Sequence, residues 1–97
     1  MSERKFQSEI IAHARKLGWL VYHTYDSRGS EPGFPDLVLV HPKFGTLFRE
    51  LKTDYAQLTE EQSHWGDQLT ASGANWDVWR PFDMDDIFKI LSGIRSF

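Results

Sequence analysis

The sequence predicts an α/β fold, a mixed β-sheet flanked by helices in the order αβββαβα, and three observations lead there. Apolar residues recur at helical spacing near the start of the chain. Two runs rich in apolar and β-branched residues are joined by Pro42-Lys43-Phe44-Gly45, a tetrapeptide that favours chain reversal. A capping-box sequence then opens a second helix, and an aromatic-rich strand follows it.

The first helix is expected from about Glu3 to Leu17, because Phe6, Ile10, Ala14 and Leu17 fall on one face, with Ser2 as N-cap and Gly18 as the stop. Trp19 to Tyr25 reads as the first strand and is followed by the polar loop DSRGSEPGFP. Asp36 to Val40 is the second strand, and Thr46 to Lys52 returns beside it as an antiparallel third. Thr59-Glu60-Glu61-Gln62 forms the capping box, and Ser72-Gly73 closes the helix it opens. Asn75 to Arg80 is the fourth strand, ended by Pro81, and Asp83 is expected to cap a last helix that buries Ile87, Ile90, Leu91 and Ile94.

Composition bounds what such a chain does. At 97 residues it is predicted to form one domain over 1–97, and 40% hydrophobic residues with four Trp, seven Phe and three Tyr can fill a core without metal or disulfide staples. The absence of cysteine excludes disulfides, thiolate zinc sites, iron-sulfur clusters and cysteine nucleophiles. The N-terminal segment MSERKFQSEI lacks the apolar run of a signal peptide, and no stretch approaches the ~20 apolar residues that span a bilayer. A soluble protein of the cytoplasm, bacterial or of a phage-infected host cell, with no membrane partner, is the expectation. Net charge is −3, yet residues 1 to 53 carry eight Lys/Arg against six Asp/Glu, whereas residues 54 to 97 carry three against eight. Basic surface therefore belongs to the first half.

The chemistry-bearing residues lie in that half. Alternation along the third strand puts Glu50 and Lys52 on one sheet face and Leu51 on the other. An isolated E-x-K is most simply a solvated surface ion pair. The preceding strand changes that reading, because Pro35 suits a strand entry and the hairpin pairing brings Asp36 beside the end of strand three. Two converging carboxylates repel each other unless a cation lies between them, and oxygen donors select a hard ion, Mg²⁺ or Mn²⁺. The Leu51 carbonyl is a further hard donor. Such an ion polarises a phosphodiester and activates water, while the Lys52 ammonium orients the nucleophile or stabilises developing charge. The expected reaction is phosphodiester hydrolysis, with Asp36, Glu50 and Lys52 at its centre.

The arrangement Pro35-Asp36, then Glu50-x-Lys52, resembles the PD-(D/E)XK nuclease superfamily, and the longer pattern resembles its virus-type replication-repair nuclease (VRR-NUC) branch. The matching residues are Glu3 and Gln7, Gly18-Trp19, Gly33 through Val40, Phe48 through Thr53, Gln62 with Trp65, and Val78 through Pro81. The resemblance implies a restriction-endonuclease-like fold, Mg²⁺ or Mn²⁺ as cofactor, and DNA as substrate. Stand-alone members are similar to Holliday junction resolvases, so the resemblance also implies endonuclease action on four-way junctions by a homodimer. Two alternatives stay open: a flap, end or duplex-nicking nuclease subunit of a repair or restriction assembly, and a non-catalytic DNA-binding module of the same fold.

Other residues carry two readings each. Glu3 lies on the apolar stripe of the first helix, either to join the metal site or to decorate the first turn and its dipole. Gln62 faces inward from a helix start, either as a site residue or as the fourth member of the capping box. Gln7, Arg28, Ser30, Lys43 and Arg49 are candidate DNA contacts, with Lys5, Arg15 and Lys16 joining Lys43 and Arg49 only as a group. The four histidines are not spaced as a zinc site and are expected to pack or lie on the surface. For the dimer surface, the last helix or the Phe44–Leu47 strip is the expectation.

Overall fold

The computed structural model describes residues 1–24, 29 and 31–94. A first helix, α1 (Glu3–Lys16), is capped by the Ser2 hydroxyl, which accepts the Lys5 N–H at 3.1 Å. Strand β1 (Leu20–His23) follows, then β2 (Leu37–His41) and β3 (Gly45–Leu51). Helix α2 (Glu60–Ala71) crosses over to β4 (Asn75–Trp79), and a short 3₁₀ turn (Pro81–Asp83) leads into α3 (Met84–Leu91). The sheet order is β1-β2-β3-β4, antiparallel across the first two pairings and parallel between β3 and β4, the connection through α2 making the parallel pairing possible. Among the described residues no helix is long and apolar enough to cross a membrane.

The two sheet faces have different roles. One face presents Leu37, Leu39, Leu47, Leu51 and Trp79, which bury against Phe6, Ile10 and Ala14 of α1 and Ile87 and Leu91 of α3. The other face carries Asp36, Glu50 and Lys52 by strand alternation, and α2 covers its β4 end. That cover is close because residue 66 is glycine: a Cβ there would fall 2.5 Å from the Trp76 ring.

Several boundaries differ from the sequence reading. Trp19 precedes β1 instead of opening it; its backbone N–H bonds Ala14 and its indole N–H donates to the Leu91 carbonyl at 2.8 Å, tying the end of α1 to α3. Tyr25 lies outside the described residues. Asp83 occupies the N-cap position of α3 but makes no side-chain cap; its carboxylate accepts the Arg80 N–H at 3.1 Å and closes the 3₁₀ turn instead. Ile87 and Leu91 are buried as expected, Ile90 is partly buried, and Ile94 is exposed because α3 ends before it, at Gly93 in the left-handed region (φ 81°). Two histidines serve packing: His13 stacks on Phe88 at 4.0 Å and His41 on Phe44 at 4.4 Å.

Candidate active site

Asp36 is fixed by its backbone and its side chain together. Its carbonyl accepts the Thr24 N–H at 3.1 Å, which ties it to the end of β1, and its Oδ2 accepts the Leu51 N–H at 2.8 Å. Pro35 acts on the other polar group of Leu51, its carbonyl. Continuing the Leu37↔Arg49 register puts residue 35 opposite Leu51, and a proline there has no N–H to give the ladder. The Leu51 carbonyl therefore receives no donor from residue 35. The loop before Pro35 is locked to α2: Gly33 has φ 89°, and a Cβ on it would lie 2.4 Å from the Glu61 backbone carbon. Phe34 meets Trp65 edge-on with centroids 5.1 Å apart.

That docking delivers Gln62 to the site. Its Nε2 donates to Glu50 Oε2 at 3.0 Å, its Oε1 accepts the Thr59 N–H at 2.9 Å, and its own N–H bonds the Thr59 hydroxyl at 3.1 Å. One side chain thus makes two kinds of contact: the capping box uses its oxygen and Glu50 uses its nitrogen. Glu50 is only 3% exposed. Its pKa rises to about 9, first through burial, then through a hydrogen-bonding contact with Asp36 and the repulsion of that carboxylate; Lys52 opposes the rise and Glu3 adds to it. The pKa of Glu3 is also raised, by burial and then by Asp36, with Lys52 again opposing. Glu3, Asp36, Glu50 and Lys52 therefore share one electrostatic neighbourhood.

The chemistry of the donors fits a hard divalent ion. One oxygen of each central carboxylate accepts a protein donor, Asp36 Oδ2 from Leu51 and Glu50 Oε2 from Gln62, and the two carboxyl groups also meet each other, a contact that a shared cation would replace. Among the described residues no three His, Cys, Asp or Glu side chains come together closely enough to hold a metal ion alone. The groups that would hold such an ion are the two carboxylates and the Leu51 carbonyl, while Glu3 adds to the repulsion felt by Glu50. A carboxyl group buried beside a second acid is the setting in which a cation between the two favours the ionised form.

Substitution of Gln62 by Ala tests this double role. It is expected to lower stability by about 1 kcal/mol through loss of the cap and to lower activity by about 10-fold or more through loss of the Glu50 contact. Thermal unfolding and a cleavage assay read the two effects separately. Unchanged activity would show that the contact does not serve the site.

The candidate DNA contacts separate in space. Gln7 lines a groove that also contains Asp36 and Glu3, together with Arg4 and Arg15, of which Arg4 was not singled out by the sequence. Lys43 is exposed in the β2–β3 turn, where its N–H bonds His41 Nδ1 at 3.1 Å. It is at the opposite end of β2 from Asp36, about 17 Å of strand away. Arg49 requires a correction. It is 3% exposed, its guanidinium donates to the Phe48 and Asn75 carbonyls at 2.9 and 2.8 Å and to Asn75 Oδ1 at 2.9 Å, and it lies over the Trp79 ring at 4.9 Å. Burial, opposed by Asp77, lowers its pKa to about 10. Strand alternation turns it to the face opposite Glu50, so it serves the core and not a phosphate. Arg28 and Ser30 lie outside the described residues.

Comparison with known families and structures agrees with the fold. The VRR-NUC domain model matches residues 2–81. No curated protein matches the chain. A solved VRR_NUC domain with 25% sequence identity superposes with a TM-score of 0.74, over 87% of this chain and 89% of its own. A solved VRR_NUC domain protein with 17% identity gives 0.70, over 93% and 90%. Archaeoglobus fulgidus Hjc, a Holliday junction resolvase from an archaeal hyperthermophile, gives 0.56 with 19% identity, over 79% of this chain and 67% of its own. The last two likenesses concern the fold, which is the α/β nuclease fold the sequence led to.

Proposed function

The chain belongs to the VRR-NUC domain family, and from that premise we propose that residues 1–97 form one Mg²⁺- or Mn²⁺-dependent endodeoxyribonuclease domain that cuts branched DNA, a four-way junction above all. The observation that carries the reading is the convergence of Asp36 and Glu50, each with one oxygen fixed by a protein donor and the two in contact, with Lys52 in the same electrostatic neighbourhood. When bound, the ion supplies Lewis-acid polarisation of the phosphodiester and lowers the pKa of the attacking water. Asp36, Glu50 and the Leu51 carbonyl would hold it. Gln62 fixes one oxygen of Glu50, and the Lys52 ammonium orients the nucleophile and stabilises charge developing on the phosphorus oxygens. The junction preference draws its support from the fold shared with the archaeal resolvase.

A homodimer would match the twofold symmetry of a junction. Of the Phe44–Leu47 strip, Phe44 is 40% exposed while Leu47 is buried. A larger apolar patch lies on β1 and β2, where Leu20 is 74% and Tyr22 60% exposed beside Val40. At the other sheet edge Asp77 Oδ1 accepts the Val78 N–H at 2.8 Å, which blunts β4 for strand addition. The free edge for a second copy is therefore β1.

Cleavage of four-way junction, flap and linear duplex DNA of matched sequence, with and without Mg²⁺, tests the reading. Junction cleavage about 10-fold faster than the others, and only with metal, is expected. Faster flap or duplex cleavage would replace the substrate assignment; tight binding without cleavage would leave a binding module. Sedimentation of the same sample is expected to show twice the chain mass.

A further inference from the structure

The acid centre opens into a groove of about 810 Å³ that runs along the exposed side of α1 and past the end of β1. Its lining divides by charge along its length. Apart from Glu3 and Asp36 at the metal end it holds no carboxylate, and it presents Arg4, Gln7, Ser8 and Arg15 from the helix with Thr24 opposite. Arg4 and Arg15 are eleven residues apart, three helical turns plus about 20°, so they stand on one line about 16 Å apart. Between them the helix offers Gln7 and Ser8, which can donate hydrogen bonds, and Ala12, whose small side chain allows close approach. Lys5 and Lys16 have the same spacing but sit about 100° further round the helix, outside the groove. The groove along α2 contrasts with it, since Glu31, Glu60 and Glu61 line that one. A polyanion approaching a chain of net charge −3 is thus drawn to α1 and repelled from the start of α2.

We propose that the α1–β1 groove is the track for the DNA strand entering the active site, with Arg4 and Arg15 binding phosphates on one side of the bond to be cut. The proposal rests on the nuclease reading for the identity of the anion. At about 3.4 Å per stacked nucleotide the two guanidinium groups bracket several nucleotides, fewer if the strand is extended. Arginine suits the task because its planar fork meets phosphate oxygens two at a time. The contacts read backbone and not base, so they set position without sequence preference.

The test compares two double substitutions of equal charge, Arg4→Gln with Arg15→Gln and Lys5→Gln with Lys16→Gln, each made in the Asp36→Asn chain so that binding is measured without turnover. All four sites are exposed and glutamine is as good a helix former, so both variants keep α1. The probe is a fluorescein-labelled single-stranded oligonucleotide titrated at several salt concentrations, followed by anisotropy. Each phosphate contact contributes about 0.7 to the slope of log affinity against log salt. The arginine pair is expected to reduce that slope by about 1.4, and the lysine pair by less than half as much. Equal reductions in the two variants, or an unchanged slope in the arginine variant, would overturn the proposal. Absence of metal-dependent cleavage by the unaltered chain, with the difference between the pairs intact, would remove the nuclease reading and leave the groove as a site for single strands.

Discussion

Replacing Asp36 by Asn is expected to lower Mg²⁺-dependent cleavage by about 10³-fold while the chain stays folded and still binds DNA. The separation of these effects follows from what each oxygen does. Asp36 Oδ2 accepts the Leu51 N–H at 2.8 Å, and the asparagine carbonyl can accept the same bond in the same volume. The strand entry and its tie to Thr24 are backbone features that the substitution leaves alone. What disappears is the negative charge of the other oxygen, and with it half of the carboxylate charge at the metal. The same change relieves Glu50, since Asp36 is the first cause after burial of its raised pKa. Thermal stability without metal is accordingly expected to stay the same or rise, which a merely damaging mutation would not do. Lys52→Ala is expected to show a comparable loss of turnover with its metal-induced stabilisation retained. A junction-cleavage assay, anisotropy binding and thermal unfolding read all three quantities. Cleavage at the original rate in Asp36→Asn would end the assignment of this acid to the reaction.

Sequence periodicity exposed the fold and the central residues for the same reason: both depend on neighbours close along the chain or across one hairpin. The register of β2 on β3 follows from a short turn, so Asp36 beside Glu50 was legible before any coordinates. Gln62 was only half legible. Its capping partner is three residues away, whereas the Glu50 contact depends on α2 docking onto the loop at Gly33. Two roles that compete on paper are compatible in space, because an amide has a donor end and an acceptor end. Arg49 misled for a converse reason. An arginine in a strand next to catalytic residues looks like a phosphate ligand, but alternation sends it through the sheet, where Asn75 and Trp79 take its guanidinium. Arg4 left no signal of its own; only the path of the groove along α1 distinguishes it from Lys5 beside it. The end of α3 erred by less than a turn, since nothing in Ile90, Leu91 and Ile94 alone reveals where Gly93 stops the helix.

The second large effect is on pH. Glu50 has a pKa of about 9 in the metal-free protein, raised from 4.5 by burial and then by Asp36. A raised carboxyl pKa means that the folded chain holds the proton more tightly than the unfolded one, so this group's contribution to stability is complete below about 4.5 and is lost as pH rises toward 9. Metal-free stability is therefore expected to fall across that window, by several degrees in Tm. Metal binding requires the carboxylate, so at neutral pH it displaces a proton and strengthens as pH increases. The stabilisation by Mg²⁺, which follows the ratio of its concentration to its Kd, should then grow over the range in which the metal-free chain weakens. Glu50→Gln separates the causes. The amide keeps the shape and a contact to Gln62 but neither titrates nor charges, so the metal-free pH slope should flatten, the Mg²⁺ stabilisation should vanish and cleavage should be lost together. A Glu50→Gln chain that kept the original pH slope would locate the titration elsewhere, and one that kept the Mg²⁺ stabilisation would place the ion away from Glu50. Both results depend on the same physical fact, a carboxyl group held 3% exposed beside another acid, which is unfavourable as an anion until a cation joins it.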